Sequence, residues 1–445
     1  MGCRATRRGW VVLVVAVCCG FAFIPAYATD GSLVVAALRT LDQNYVKTVD
    51  DVGLLNTAIG ALRTATDLDT AALSDIPQGT PEGSASRMFL AVFDRAVQAG
   101  KGGSAEDLAQ TATRAMLASL HDSHVNYYTA AAFAEFQRNL AGQASYAGIG
   151  VFVKSIKDTD GTTVAFVAAA FPGAPAARAG LQRFDRILRV DGKDVSGMTA
   201  GELVPLLRGS ASSAVSVTVQ RRDRTLTVSV VRQAIQIPPV DAYFIRPGVA
   251  YVRLLAFPRG AGHDIRSALR SLASRGAISS VILDLRNNGG GLIKEGSIVA
   301  GAFLPPGTLL AHTVERARPP TEITSTGTPI VDRGRLVVLI DDGTASTAEL
   351  LTAGLRDAHR ATLVGDKTAG ALGVAMRYAL PDGGIEVTVS QVTGPQHEQI
   401  EGVGITPGVQ VALTVAEVAR GEDGQLEAAL KSLGVAEIFS AASAA

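Results

Sequence analysis

Cysteine is nearly missing from this chain of 445 residues: there are three, Cys3, Cys18 and Cys19, all at the extreme N-terminus. The chain beyond Cys19 therefore holds no disulfide, no thiol nucleophile and no cysteine-ligated metal. Net charge is missing too, since 41 lysines and arginines balance 41 aspartates and glutamates. The two signs are scattered with no basic stripe, which argues against nucleic acid as a partner. Histidine is scarce, and His121, His263, His312, His359 and His397 lack the spacing of metal ligands, so no metal or other cofactor is expected. Long hydrophobic runs are absent except for Trp10 to Ile24, which is short for a membrane span. What the chain does have is apolar content, 47% of its residues, enough for two or three cores.

That single apolar run has a clear context. Arg4, Arg7 and Arg8 precede it and Ala26-Tyr27-Ala28 comes after it, which reads as a signal peptide (1–28) cut after Ala28. An uncleaved anchor is the alternative, and peripheral association with a membrane stays open. Thr6 to Val11 loosely fits a twin-arginine signal, although ordinary export is the commoner route. Leu is missing three residues before Cys18 and Cys19, so no lipid anchor is expected. A periplasmic or secreted protein is the reading.

Residues 29–145 read as mainly helical, from the amphipathic pattern of Leu33, Ala36, Leu38 and Leu41 and its return at Leu108 to Leu120. Pro77 to Ser84 marks a loop between them. From 146 to 236 the texture turns to short β-branched runs, Gly150 to Val153, Thr163 to Val167, Arg186 to Val190 and Val215 to Val219. From 237 to 445 strands alternate with helical segments in an α/β pattern, closed by a helix over Val415 to Leu433.

Two strand-to-turn junctions carry the chemistry. Val337 to Ile340 runs into Asp341-Asp342-Gly343-Thr344-Ala345-Ser346, and small residues then open a helix. Ser346 at that bend lies among helix N-terminal N–H groups, which suits a nucleophile beside an oxyanion site. A plain N-cap role for Thr344 or Ser346 is the competing reading. Val281 to Leu285 ends in Arg286-Asn287-Asn288-Gly289-Gly290-Gly291, where glycine lets a backbone N–H approach a ligand.

The middle segment resembles a PDZ domain, through Tyr146 to Val151, Gly173 to Leu181 and Asp185 to Gly192. That likeness implies that Gly148, Ile149 and Gly150 offer amides to a peptide carboxylate while the peptide adds a strand. Arg183-Phe184 stands where Pro-Gly is usual. The whole pattern resembles the carboxyl-terminal processing serine peptidases: an α/β serine peptidase core with an inserted PDZ-like β domain and a helical N-terminal region. The resemblance implies an acyl-enzyme peptidase with Ser346 as nucleophile, Gly290 and Thr347 as oxyanion donors, and polypeptides as substrates.

The chain departs from the best-known branch of that family at one place. The lysine expected 25 residues past the serine is Ala371, so another base is needed. His124, in Asp122-Ser123-His124, resembles the base of the Ser/His branch that includes the tricorn protease, although the lysine branch carries Asp-x-His there as well. Glu401, in Ile400-Glu401-Gly402-Val403-Gly404, would orient the imidazole, with Asp122 as competitor. Two alternatives stay open: a Ser346/Lys367 dyad, or an inactive peptide-binding adaptor.

Overall fold

A computed structural model describes residues 31–435 apart from 123, 142–144, 237–239 and 317. The expected export segment, 1–28, lies outside the described residues. Among those that are described, no helix is long and apolar enough to cross a membrane.

The core is a six-stranded sheet in the order Val240–Arg246, Val249–Leu254, Ser280–Asp284, Arg335–Ile340, Thr362–Gly365, Val409–Gln410. Its first pair is antiparallel and the rest are parallel. Parallel strands are covered on both faces, so they read as unbroken apolar runs. Alternate side chains separate accordingly. Val281, Leu283, Val338 and Ile340 join the cluster under helices Ala261–Arg275 and Thr347–Asp357. Ile282, Val337 and Leu339 face helix Gly424–Ser432 on the other side.

A second sheet runs in the order Asn126–Tyr128, Gly383–Thr393, Leu309–Glu315, Thr321–Thr324, with Gly373–Leu380 also paired to Gly383–Thr393. Its first strand comes from the region read as mainly helical. The N-terminal helices Ser32–Asn44, Asp51–Thr66, Glu82–Gln98 and Ala105–Ala118 share one cluster with Leu380, Ile385 and Val387 of that sheet. Helix Glu82–Gln98 starts inside the expected loop, preceded by Pro81. The closing helix is two helices, Val415–Arg420 and Gly424–Ser432, because Gly421 turns left-handed (φ 71°) and Asp423 caps the second.

The PDZ-like module packs Val151–Lys157, Thr163–Ala170, Arg186–Val190, Ala214–Arg221 and Arg224–Val231 into one sheet. Ser145–Gly148 pairs with Gln233–Gln236 where the chain enters and leaves. Charged groups tie the module to the core. Arg183 meets Asp423 at 2.9 Å, and Lys154 meets Asp341 and Asp342 at 2.6 and 2.7 Å. Asp423 in turn meets buried Arg286, whose guanidinium also grips Asp284 at 2.6 Å. Burial alone would raise the Asp284 carboxyl, but the charge and hydrogen bonds of Arg286 outweigh it and hold it well below the usual range.

Removing one partner from such a cluster strands the others in low dielectric. Arg286→Met is expected to cost about 3–5 kcal/mol of stability by that mechanism. A denaturant titration showing a loss under about 1 kcal/mol would mean that the cluster is solvated well enough to stand without Arg286.

Candidate active site

Both motifs turn at the same edge of the parallel sheet. Asp284 pairs opposite Leu339, so both chains leave at the carboxyl ends of adjacent strands, where open α/β sheets hold ligands. The two turns are stitched together. Ala345 N–H donates to Asn288 O at 2.9 Å, and the Thr344 hydroxyl donates to Leu285 O at 2.9 Å.

Ser346 sits at the N-cap of Thr347–Asp357 with φ 56° and ψ −123°. A non-glycine residue held there costs about 1–3 kcal/mol, and such strain concentrates at functional sites. Gly290 packs against it. A Cβ at Gly290 would lie 2.7 Å from Ser346 Cβ and 2.9 Å from Thr347 N, so no side chain fits. The Thr347 hydroxyl donates to Gly291 O at 2.8 Å and pins the first helical turn. No acceptor among the described residues takes the Thr347 N–H, which leaves it open to an oxyanion. The Gly290 N–H instead donates to Asn288 Oδ1 at 2.9 Å. Of the two expected donors, one is open and one is engaged.

His124 and Glu401 also come together. Glu401 Oε2 lies 3.8 Å from His124 Nε2, outside hydrogen-bond range, and is buried without a partner. Burial raises the Glu401 carboxyl, with the His124 charge and the Leu372 N–H opposing. His124 Nε2 accepts the Gly373 N–H at 3.2 Å. An accepting nitrogen carries no proton, so a neutral ring holds its proton on Nδ1 in this arrangement. Turning the ring or exchanging the proton would give Glu401 Oε2 the donor it lacks. Gly373 is two residues past Ala371, whose carbonyl accepts the Ser346 N–H at 2.9 Å. Imidazole and serine thus share the segment 371–373, although no hydrogen bond joins them among the described residues. A cleft of about 410 Å³ opens on His124, Gly373 and Glu401.

Asp122 is committed elsewhere. Its carboxylate accepts the His124 backbone N–H at 2.9 Å, the Thr388 hydroxyl at 2.9 Å and the Tyr45 hydroxyl at 3.0 Å. Those bonds fix the His124 loop rather than the imidazole. Lys367 is exposed, in the turn that follows strand Thr362–Gly365. Lys154 is partly buried, but Asp341 and Asp342 outweigh the downward push of desolvation and keep its ammonium charged.

Gly148, Ile149 and Gly150 are buried, and Ile149 and Gly150 line the PDZ-like groove. Gly148 ends the strand paired to Gln233, while no acceptor among the described residues takes the N–H of Ile149 or Gly150. The groove, about 540 Å³, lies between strand Val151–Lys157 and helix Ala200–Leu207, with Val153, Val204 and Leu207 in its lining.

Known proteins match this arrangement. Residues 248–411 match peptidase family S41, and 166–221 match a PDZ domain. A carboxyl-terminal-processing protease of Synechocystis sp. is 36% identical over 337 residues, covering 73% of this chain and 76% of that protein. The chain belongs to that peptidase family. It is a serine-type peptidase. A second family member, the carboxyl-terminal-processing protease of Picosynechococcus sp., is 35% identical over 68% of this chain and 72% of its own length. Among solved structures, a photosystem II D1 C-terminal processing protease is 27% identical with a TM-score of 0.53, covering 87% of this chain and 94% of that one.

Two further residues beside the serine turn left only a faint signal in the sequence. Ser346-Thr347-Ala348-Glu349 has capping-box spacing, and Glu349 Oε2 accepts the Ser346 N–H at 3.1 Å. Asn288, which is buried and holds the Gly290 amide, was visible only as part of a glycine-rich turn.

Because burial raises Glu401, its carboxylate takes up a proton at higher pH than an exposed glutamate does as acid is added. The kcat/KM profile should therefore begin to fall above the ordinary glutamate range, about pH 4.3. Glu401→Gln should make that limb shallower, and Lys367→Ala should leave the profile unchanged. A limb identical in Glu401→Gln and the unmutated enzyme would remove Glu401 from the chemistry.

Proposed function

We propose that this S41 peptidase is an exported endopeptidase that hydrolyses polypeptides through an acyl-enzyme on Ser346, with His124 as general base and Glu401 orienting it. The carrying observation is the strained Ser346 at a helix N-terminus, packed against a glycine whose place admits no side chain. His124 removes the Ser346 proton as Oγ attacks the substrate carbonyl, then returns it to the leaving amine. The Thr347 and Gly290 N–H groups receive the oxyanion once Gly290 releases Asn288. Glu401 accepts the far imidazole N–H and stabilises the imidazolium. Water then frees the acyl group by the same route in reverse.

The PDZ-like groove supports recognition of substrate C-termini. A peptide laid beside Val151–Lys157 would present its carboxylate to the open N–H groups of Ile149 and Gly150. The names of the relatives, carboxyl-terminal-processing proteases, agree with this. The basic, apolar and A-x-A sequence of residues 1–28 supports export to the periplasm or beyond.

Ser346→Ala should abolish casein cleavage and fluorophosphonate labelling while the melting curve keeps its shape. His124→Ala should lower kcat by about 10²–10⁴-fold, the usual share of a general base. Full activity in either variant rejects the assignment, and a purified enzyme that neither labels nor cleaves returns the chain to a peptide-binding adaptor. Separately, peptides with a free apolar C-terminus should bind about 10–100-fold tighter than amidated copies, since a charged acceptor is worth about 1.5–3 kcal/mol. Equal affinities by anisotropy would remove the carboxylate from recognition.

A further inference from the structure

Glu349 lies at the third position of the nucleophile helix, is completely buried, and forms no ion pair among the described residues. A buried carboxylate without a cation is costly unless donors satisfy it, and here four do. Oε1 accepts the Thr368 hydroxyl at 2.5 Å and the Gly370 N–H at 2.8 Å. Oε2 accepts the Ala371 N–H at 2.9 Å and the Ser346 N–H at 3.1 Å, the latter shared with Ala371 O at 2.9 Å. The helix N-terminus adds its own positive potential.

Those donors come from two separate pieces of chain, the serine turn and the segment 368–371. The network then extends to a third. The Ile405 N–H donates to Thr368 Oγ1 at 2.7 Å, the Thr368 N–H donates to Ile405 O at 3.1 Å, and the Gly402 N–H donates to Gly370 O at 2.7 Å. The turn so held begins at Glu401. Two residues past Ala371, Gly373 donates to His124 Nε2. One carboxylate therefore ties the segment that meets the imidazole, and the turn that carries Glu401, to the backbone of Ser346.

We propose that Glu349 is a positioning residue that sets the attack geometry of Ser346 by clamping segment 368–371 against the serine turn. This rests on Ser346 being the nucleophile. The clamp acts where the chain has Ala371 and uses only the backbone of that residue. Its carboxylate cannot be replaced by an amide, because each oxygen receives two donors. A glutamine offers one oxygen, and its NH₂ would face two N–H or O–H groups in either orientation.

The test compares Glu349→Gln, Thr368→Val, Thr368→Ser and Ser346→Ala in the full-length enzyme. Misplacing reacting groups by about an ångström costs on the order of 10²-fold, so Glu349→Gln should lose about that much in kcat and in fluorophosphonate acylation rate. KM and the affinity of the PDZ-like groove for a free C-terminal peptide should stay within about twofold, since neither depends on the serine turn. Should Glu349→Gln not fold, the threonine pair decides. Thr368→Val loses the hydroxyl and should slow acylation about tenfold, the size expected for one charge-assisted hydrogen bond. Thr368→Ser keeps that hydroxyl and should restore the unmutated rate. Acylation of folded Glu349→Gln at the unmutated rate, or equal rates in the two Thr368 variants, overturns the clamp. If Ser346→Ala is dead while Glu349→Gln is normal, the clamp alone falls. If Ser346→Ala still labels, the nucleophile assignment falls and the clamp with it.

Discussion

The parallel ladder between Ser280–Asp284 and Arg335–Ile340 ends with Asp284 opposite Leu339, and both chains must turn away from the sheet at that edge. The two turns therefore meet, and they meet closely enough that one must be glycine. Gly290 cannot carry a Cβ because Ser346 and Thr347 already occupy the space. Closeness in turn fixes direction. The Thr347 N–H lies beside the Gly290 backbone, and the serine bends into a positive-φ conformation to start its helix. The place of Ser346 beside Gly290 and the open Thr347 amide results from strand register plus one missing side chain.

Around that edge, ionic contacts add to an apolar one, in which Phe166, Ala168 and Phe184 of the PDZ-like module cluster with Val418 of the closing segment. Asp284, which ends one of the two strands, is held by Arg286, and Arg286 reaches Asp423 in the segment that closes the fold. Asp423 also takes Arg183 from the PDZ-like module. Lys154, on the strand that lines the peptide groove, reaches Asp341 and Asp342 directly ahead of the serine turn. Pairs with a buried carboxylate, as at Asp284, Asp341 and Asp423, contribute little net stability compared with apolar packing, but each is expensive to break singly. They therefore specify one docking geometry for the module more than they strengthen the fold. Arg183, standing where a Pro-Gly turn is usual, supplies one of those contacts.

Much of the architecture was legible because parallel strands advertise themselves. Val281 to Leu285 and Val337 to Ile340 are continuous apolar runs ended by glycine-bearing turns, and both proved to be adjacent strands. Ser346 was singled out from its strand-to-helix turn, and His124 and Glu401 from the family resemblance; the fold brings the last two to 3.8 Å. The strand Asn126–Tyr128 was missed because three residues carry no periodicity, and its pairing depends on a partner more than 250 residues away. The break at Gly421 was readable from Gly421 followed by Asp423, but apolar spacing on both sides hid it. The engagement of Gly290 with Asn288, and of His124 Nε2 with Gly373, could not be read at all. Each is a choice among hydrogen-bond partners that exists only once the chain is folded.

The substitution at Ala371 has a structural corollary. A lysine there would put nucleophile and base on neighbouring pieces of the same core, whereas His124 belongs to the N-terminal region. For that base to serve, the region has to be held against the core to within a fraction of an ångström. Three features do this. Leu38, Leu41 and Ile59 pack in one cluster with Ile385 and Val387 of the second sheet. Asn126–Tyr128, two residues past His124, pairs directly with 384–386. Asp122 joins the His124 backbone to Thr388 of the same sheet and to Tyr45. The acid that competes with Glu401 for the imidazole is thus better understood as the anchor of the imidazole's loop. On this assignment the helical region is part of the active site, and the peptidase core alone would have a serine and an oxyanion site with no base to use them.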